Sequence, residues 1–283
     1  QMVRLLTKAV PGATSEWATL GLLTGLALIT KTLAWVVLPL ALLTAILIEQ
    51  GLVGTKDTDG VDGSLDDQSE IECPGAHRTS HILHPASLLL ISALFILPWF
   101  ARNAAAYPGL DVMGLQQHDR IAVGQPRTAD EVARRGLTGT ILNGTESVFH
   151  SFWGQFGWMK APLQPREYLV LALFSLAALA GLLLWLWRRE WQTWGINSHV
   201  LLFFAVWILT NVAMLLYYNL EFVQYQGRYL FPALTPIAFF IVTGLGAWLP
   251  PGRRPLAVGP LLLFLLYLDY LAIVERLPGM LGY

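Results

Sequence analysis

Long uncharged apolar runs alternate with short polar segments along most of this chain. The second half holds four such runs: Tyr168–Trp187, Trp191–Leu220, Tyr229–Gly252 and Pro255–Leu268. An α-helix rises about 1.5 Å per residue and the bilayer core is about 30 Å thick, so about 20 apolar residues are enough to cross it. The pattern predicts four membrane-spanning helices, at roughly 168–187, 199–219, 230–249 and 256–274.

The first half contains a divided apolar block and one further span. Residues Trp17 to Ile48 are apolar except where Lys31 interrupts them. Two short helices meeting at Lys31 is one interpretation, and a single tilted helix with a snorkelling lysine is the other. Because a lysine at the centre of a span costs about 2.5 to 3.5 kcal/mol, the pattern favours the two-helix hairpin. The next span, 85–102, ends in Trp99 and Arg102, which are residue types typical of a membrane–water boundary.

Between this span and the final four lies a polar loop that contains its own helix. Thr128 and Glu131 have the spacing of a capping box, and apolar positions recur at helical intervals after them. These apolar positions are Ile141, Val148, Phe152 and Phe156. The pattern predicts an amphipathic helix lying on the bilayer surface.

Together these elements predict an all-α fold, a polytopic membrane helix bundle of about six to seven spans with one extracytoplasmic loop that contains the interfacial helix. The predicted segments are a transmembrane hairpin at 1–49, an acidic cytoplasmic linker at 50–84, a transmembrane helix at 85–102, the extracytoplasmic loop at 103–166 and a four-helix transmembrane region at 167–283. The chain opens with Gln1 almost directly before the hairpin, so we expect it to be the C-terminal portion of a longer protein.

Composition supports the membrane assignment and excludes a class of partner. Charged residues make up 13% of the chain, where soluble domains carry about 25%, and hydrophobic residues make up 55%. The net charge is −1, and no dense basic stripe interrupts the apolar segments, so nucleic acid is not an expected partner.

Basic residues also predict the orientation of the spans. Arg188–Arg189 and Arg253–Arg254 flank spans on one common side, and alternation places the acidic linker there too. By the positive-inside rule that side is cytoplasmic. The loop 103–166, the turn 221–228 and Lys31 then face outward, and the chain is expected in the plasma membrane of a prokaryote as a multi-pass protein.

Candidate chemistry concentrates on three cationic residues on the outer side: Lys31, Arg102 and Arg228. Together they are candidates for an anion site. Arg228 follows Gly227, which permits close backbone approach, and its guanidinium matches phosphate oxygens bidentately. The alternative is that Arg228 only anchors a helix end among the lipid headgroups.

Four residues of the acidic linker have the side chains of metal ligands. Cys73, His77, His81 and His84 are spaced so that a helix starting near Pro74 and ending at Pro85 would align them on one face. One straight helix offers only two adjacent ligands to an ion, so the pattern favours an interfacial histidine-bearing segment, and no metal site is predicted.

Four motifs in order resemble those of a known family. Gly21–Lys31 is similar to the GLALLTK segment of the GT-C glycosyltransferases, the superfamily of protein O-mannosyltransferases and lipid A aminoarabinose transferases. Leu97–Asn103 is similar to their PWxxRN boundary. Phe152–Trp158 followed by Gln226–Pro232 resembles a bacterial branch of uncharacterised members.

The resemblance implies an enzyme that moves a sugar from a polyprenyl-phosphate-linked donor to an acceptor on the extracytoplasmic face. Matching positions imply that Lys31, Arg102 and Arg228 bind the carrier phosphate and that Gln226 and Tyr229 shape the pocket. The family's catalytic carboxylate lies in a first outer loop that this sequence lacks, so the catalytic residue is unassigned. The cofactor is also open, a divalent metal included. Alternatives are a transporter or flippase-like protein for a lipid-linked substrate, and a polysaccharide polymerase or ligase.

Overall fold

The computed structural model describes residues 14–30, 37–49, 74–122, 124–194 and 196–281. These residues are almost entirely helical, and they group into two compact units. Unit 1 consists of the described residues in Gln1–Val123 together with Asn197–Val206. Unit 2 consists of those in Gly124–Ile196 and Trp207–Tyr283.

Unit 1 is built around a pair of long helices. Its helices are α1 (Thr14–Thr30), α2 (Val37–Glu49), α3 (Pro74–Ala106) and α4 (Leu115–Ile121), with the first residues of α9 (Ser198–Glu221). Trp17 and Leu20 of α1 and Leu88 of α3 are buried in one cluster. The Ser92 hydroxyl donates to the Gly21 carbonyl oxygen over 3.2 Å, which ties α3 to α1 through a buried polar contact.

Unit 2 begins with the helix of the polar loop and continues with the last spans. Its elements are α5 (Thr128–Trp153), α6 (Phe156–Met159), the short strand Ala161–Pro162, α7 (Pro165–Trp187), α8 (Glu190–Thr193), the remainder of α9, a 3₁₀ segment (Gly227–Ala233), α10 (Leu234–Gly246), a second 3₁₀ segment (Pro251–Ala257), α11 (Val258–Tyr270), a π-helical turn (Leu271–Arg276) and α12 (Leu277–Leu281). The strand pairs antiparallel with Gln155 and Phe156.

The helices confirm an all-α polytopic membrane bundle. Among the described residues five segments are long and apolar enough to cross a bilayer: Ala86–Ala106, Pro165–Trp187, Ser198–Glu221, Gly227–Gly246 and Pro251–Gly279. Two shorter apolar helical stretches, Trp17–Leu26 and Val37–Leu47, accompany them. The chain is therefore a multi-pass integral membrane protein whose outer surface meets lipid.

Side-chain exposure agrees with this environment. Large aliphatic side chains along α7 face outward, among them Leu169, Leu173, Leu176 and Leu183. A water-soluble monomer rarely exposes a contiguous apolar surface of this kind, whereas lipid tails solvate it without cost. Small and aromatic residues on the same helix are buried instead, including Ala178, Gly181 and Trp185.

Helices α7 and α10 pack with their backbones in direct contact. A Cβ added to Gly181 would overlap the Gly244 carbonyl oxygen, and one added to Gly244 would overlap the carbonyl oxygen of Ala178. Small residues at matching positions let membrane helices approach closely, where dispersion contacts replace a hydrophobic driving force. The Trp248 indole donates to the Ala177 carbonyl oxygen over 2.9 Å and extends this interface.

Two expected helix boundaries are wrong. Pro85 does not end a helix, since α3 starts at Pro74 and continues to Ala106. The predicted capping box at Thr128 is also absent: Arg127 is the N-cap of α5 and makes no side-chain cap hydrogen bond. The Thr128 hydroxyl instead donates to the Asn219 carbonyl oxygen over 2.8 Å.

A capping box that the sequence analysis missed begins α7. The Glu167 carboxylate accepts from the Gln164 backbone N–H over 2.7 Å, and Pro165 occupies the first turn. The same carboxylate accepts from Arg276 over 3.0 Å, in an ion pair whose side chains are mostly buried. Glu167 therefore both starts α7 and attaches the π-helical turn to it.

We expect Gly181→Ala to destabilise the protein and Gly259→Ala to leave it unchanged or slightly more stable. The first substitution places a methyl group against the α10 backbone, at a cost of about 1–3 kcal/mol or more. Gly259 in α11 has nothing within 4 Å of an added Cβ, so alanine there changes only helix propensity, by up to about 1 kcal/mol. Thermal unfolding of both variants in detergent measures the difference, and equal melting temperatures would contradict the close packing.

Candidate functional site

Helix α5 forms one wall of an open apolar cavity of about 770 Å³ within unit 2. Cavities of about 300–1,000 Å³ are the usual size for sites that hold a small organic ligand. Nearly all the atoms that line it are carbon atoms, and the few polar side chains are hydroxyl and amide groups. The lining residues are Thr128, Val132, Leu137, Thr140, Ile141, Gly144, Thr145, Val148, Phe149, Phe152, Trp153, Ser175, Leu215, Leu216, Asn219, Leu220, Tyr225, Leu230, Ile237 and Ile241.

The N-terminal end of α5 is fixed to the end of α9. Arg127 forms an ion pair with Glu221, and its guanidinium carbon lies 4.4 Å from the centre of the Phe222 ring. The hydrogen bond from Thr128 to the Asn219 carbonyl oxygen lies beside this pair. Because an exposed ion pair alone contributes little, the aromatic contact and the hydrogen bond are needed to hold this end in place.

The C-terminal part of α5 is fixed to the 3₁₀ segment through a glycine. The Gly227 N–H donates to the Ser151 hydroxyl over 2.7 Å. A Cβ at Gly227 would overlap the Val148 carbonyl oxygen and the Phe152 backbone nitrogen. The Phe152 ring also meets Phe231 edge to face, with ring centres 5.9 Å apart. Glycine is therefore required here for close contact between two backbones.

The turn between α9 and the 3₁₀ segment is held by an amide network. Asn219 Oδ1 accepts from the Gln224 N–H over 2.8 Å, and Asn219 Nδ2 donates to the carbonyl oxygen of Leu215. The Gln224 side-chain oxygen accepts from Gln226 Nε2 over 3.0 Å and, more weakly, from the Tyr229 hydroxyl over 3.4 Å. The network fixes the backbone on both sides of Tyr225.

Tyr225 is the one titratable side chain among the lining residues of the cavity. Its ring lies against Gly144, where an added Cβ would come within 3.1 Å of it. The hydroxyl is buried and has no hydrogen-bond partner among the described residues. Burial, and then the negative charge of Glu131, raise the pKa of the phenol above its usual value, although Arg135 opposes this. Tyr225 therefore keeps its proton and offers a donor without an acceptor.

Near the start of α5, Glu131 interacts with two arginines. Its carboxylate forms ion pairs with Arg134 and, over 2.7 Å, with Arg135, although the Glu131 side chain is only 9% exposed. The hydrogen bond from Arg134 lowers the pKa of Glu131, an effect that burial opposes and the positive charges of both arginines support. Because the Glu131 carboxylate is paired with two arginines of the same helix, it does not cap the N-terminus of α5.

The middle of α5 contains a local break. Gly136 has a φ of 72°, outside helical geometry, and nothing lies within 4 Å of a Cβ built there. Leu137 and Leu142, which follow, are exposed, whereas Thr140 and Gly144 are buried. The helix is therefore anchored at both ends and changes direction between them.

The predicted cationic residues lie in different parts of the chain. Lys31 is outside the described residues. Arg102, in unit 1, donates to Asn103 Oδ1 over 3.0 Å and to the Tyr107 hydroxyl over 2.9 Å. Arg228, in unit 2, is exposed, with its guanidinium 5.7 Å from the centre of the Tyr229 ring. Convergence of the three on one anion stays a prediction.

The other two predicted residues have clear positions within unit 2. Gln226 and Tyr229 both contact Gln224 and so support the turn, but neither lines the cavity. The residues beside them, Tyr225 and Leu230, do line it. The sequence did not indicate a role for Tyr225, because a tyrosine next to an apolar span is typical of an interfacial anchor. Its hydroxyl is buried only through the tertiary fold.

Among the described residues no group of three or more His, Cys, Asp or Glu side chains could hold a metal ion, and the side chains of Cys73, His77, His81 and His84 lie outside that part of the chain. In comparisons with known proteins, no family model, curated protein or solved structure matches this chain. An apolar cavity lined by a buried phenol hydroxyl without an acceptor suits an apolar ligand that carries a polar end.

We expect Gly227→Ala to loosen α5 from the turn. The added methyl group overlaps the α5 backbone, so the hydrogen bond to Ser151 must lengthen or break. Hydrogen exchange at residues 144–153 should rise by at least about tenfold, the change expected if about 1.4 kcal/mol of local stability is lost. Gly252→Ala is the matched control, since its added Cβ meets nothing within 4 Å, and an equal effect of both variants would refute the contact.

The ion pairs of Glu131 predict a pH dependence with a defined sign. Because the folded pKa of Glu131 is lowered, its contribution to stability is complete above the usual value of 4.5 and is lost as the pH falls through the lowered folded value. We expect Glu131→Gln to lower the melting temperature near neutral pH and the difference from wild type to narrow in acid. Glu146→Gln, at an exposed position of the same helix, serves as control. A difference independent of pH would show that the charge plays no part.

Proposed function

We propose that this chain belongs to a membrane glycosyltransferase of the GT-C type. In this proposal it moves a sugar from a polyprenyl-phosphate-linked donor to an acceptor on the extracytoplasmic face of a prokaryotic plasma membrane. The observation that carries the proposal is the apolar cavity under α5, whose lining continues into the segment that presents Arg228. The sequence resemblance described above supports the same class of reaction.

The cavity has the properties that an isoprenoid chain requires. Its walls are aliphatic and aromatic, and they extend from α5 to Ile237 and Ile241 of the spanning helix α10. Transfer of an apolar chain from lipid into such a space gains little by burial alone, because lipid is equally apolar. Specificity must then come from the shape of the cavity and from the polar end of the ligand.

Polar groups near the cavity suit a phosphate. Tyr225 and Leu230 line the cavity, and the exposed residue Arg228 lies between them in the sequence. A guanidinium binds two phosphate oxygens at once, and a neutral phenol donates one further hydrogen bond. We assign Arg228 to the carrier phosphate and Tyr225 to an oxygen near the same end of the ligand.

The reaction would use these groups to stabilise the leaving phosphate. The bond between the sugar anomeric carbon and the phosphate oxygen breaks, the acceptor oxygen bonds to that carbon, and a base removes the acceptor proton. Negative charge grows on the departing phosphate, where a fixed guanidinium lowers the barrier. The base that removes the acceptor proton is unassigned.

We expect Arg228→Ala to weaken binding of undecaprenyl phosphate, used as the probe, by about 10- to 100-fold. Loss of a charge-assisted hydrogen bond costs about 1.5–3 kcal/mol, which corresponds to that range. Native mass spectrometry of the purified protein in detergent measures the occupancy. Arg166→Ala is the matched control, since it removes an exposed arginine near the start of α7.

Undecaprenol, the uncharged alcohol with the same isoprenoid tail, distinguishes binding of the tail from binding of the phosphate. Wild type should bind the phosphate more tightly than the alcohol, and Arg228→Ala should bind both alike. Equal binding of the two lipids by wild type would overturn the phosphate site. Membranes supplied with polyprenyl-phosphate sugars then test the reaction: transfer that depends on Arg228 supports the enzyme, whereas translocation of the lipid without transfer identifies a transporter.

A further inference from the structure

Four arginines gather at the end of unit 2 where α7 stops and α11 starts. Arg254 forms an ion pair with Glu190 over 2.8 Å, and Arg188 approaches the other oxygen of the same carboxylate at 3.7 Å. Arg189 and Arg253 are their sequence neighbours. One carboxylate thus holds two guanidinium groups together, and we call these four arginines the basic end.

The positive charge of the basic end is not balanced by its neighbours. Four arginines and one glutamate leave three formal positive charges over the segments 188–194 and 251–257. Arg189 and Arg253 are exposed, and neither forms an ion pair with any residue that the structure describes. Elsewhere in unit 2 the arginines Arg127, Arg134 and Arg276 each have a carboxylate partner.

One arginine of the basic end, Arg254, is held beside an aromatic ring. The Arg254 guanidinium carbon lies 5.5 Å from the centre of the Trp194 ring, and the Arg254 side chain is only 12% exposed. Trp194 in turn packs against the buried Trp185, with ring centres 5.7 Å apart. A carboxylate and an aromatic face together limit the freedom of Arg254 and so fix the backbone beside Arg253.

Apolar surface lies next to this charge. Trp187, the last residue of α7, is 81% exposed, Trp248 is 56% exposed and Leu256 is 65% exposed. Indole rings at this position are typical of the boundary between headgroups and acyl chains. A ligand that binds here meets cationic groups at one end and apolar side chains at the other.

We infer that the basic end binds the phosphate of an anionic phospholipid, whose acyl chains lie along the exposed apolar side chains beside it. Basic pockets between membrane helices recognise anionic headgroups in this manner, with each arginine contributing separately. The exposed Arg189 and Arg253 supply the charge, and the Glu190–Arg254 pair fixes the position of the loops that carry them. The inference does not depend on the reaction proposed above.

The test compares phosphatidylglycerol with phosphatidylcholine on the purified full chain in detergent, with lipid occupancy measured by native mass spectrometry. We expect wild type to prefer phosphatidylglycerol. The double variant Arg189→Gln/Arg253→Gln should reduce its affinity for phosphatidylglycerol by roughly 10- to 30-fold, since each arginine contributes about one factor of five. Binding of phosphatidylcholine should stay unchanged.

The matched control is Lys160→Gln/Arg166→Gln, which removes two exposed positive charges from a different part of unit 2 and should leave the preference intact. Glycerol phosphate, added as a soluble headgroup without acyl chains, distinguishes a lipid site from a site for free phosphate. Competition by glycerol phosphate at the same concentration as the lipid would overturn the lipid assignment. A wild type without preference, or an equal loss in the control, would overturn the site itself.

Discussion

The contact between the Gly227 backbone and helix α5 is the constraint on which the cavity of unit 2 depends. Two backbones touch there without a side chain between them, and the Gly227 N–H finds its acceptor on Ser151. Because α5 is also fixed at its start by Arg127 and Thr128, the helix is held at both ends, and residues between these contacts form one wall of the cavity. The side chains that line the cavity are almost all apolar.

Charge is distributed unequally in unit 2, and the two arrangements suit different tasks. Around α5 and at the start of α7 the carboxylates of Glu221, Glu131 and Glu167 each hold an arginine, so these pairs chiefly fix helix ends. At the basic end a single carboxylate, Glu190, serves two arginines and leaves others exposed. Paired charges fix the positions of helix ends, whereas unpaired charges at a membrane boundary remain available for an external anion.

The sequence predicted the spans well and the polar details poorly, for physical reasons that differ. A run of about 20 apolar residues has few alternatives to a membrane helix, so α7, α9 and α10 follow from the chain alone. Hydrogen bonds at helix ends depend on what the fold brings nearby: Thr128 had the spacing of a cap, but its hydroxyl donates to Asn219, 91 residues away. The pairing of Gln164 with Glu167 was readable as a capping box, yet the buried Tyr225 was not, because only the tertiary contact with Gly144 removes its hydroxyl from solvent.

The central claim is that the cavity under α5 receives the apolar tail of a phosphate-bearing lipid. The most direct measurement is photo-crosslinking with a polyprenyl phosphate that carries a diazirine within its isoprenoid chain, followed by mass spectrometry of the labelled peptides. The account predicts that labels concentrate on the cavity-lining positions of 137–153 and 215–241 and that an excess of unlabelled polyprenyl phosphate suppresses them. Labels spread over the lipid-facing leucines of α7, with no competition at the cavity, would contradict it.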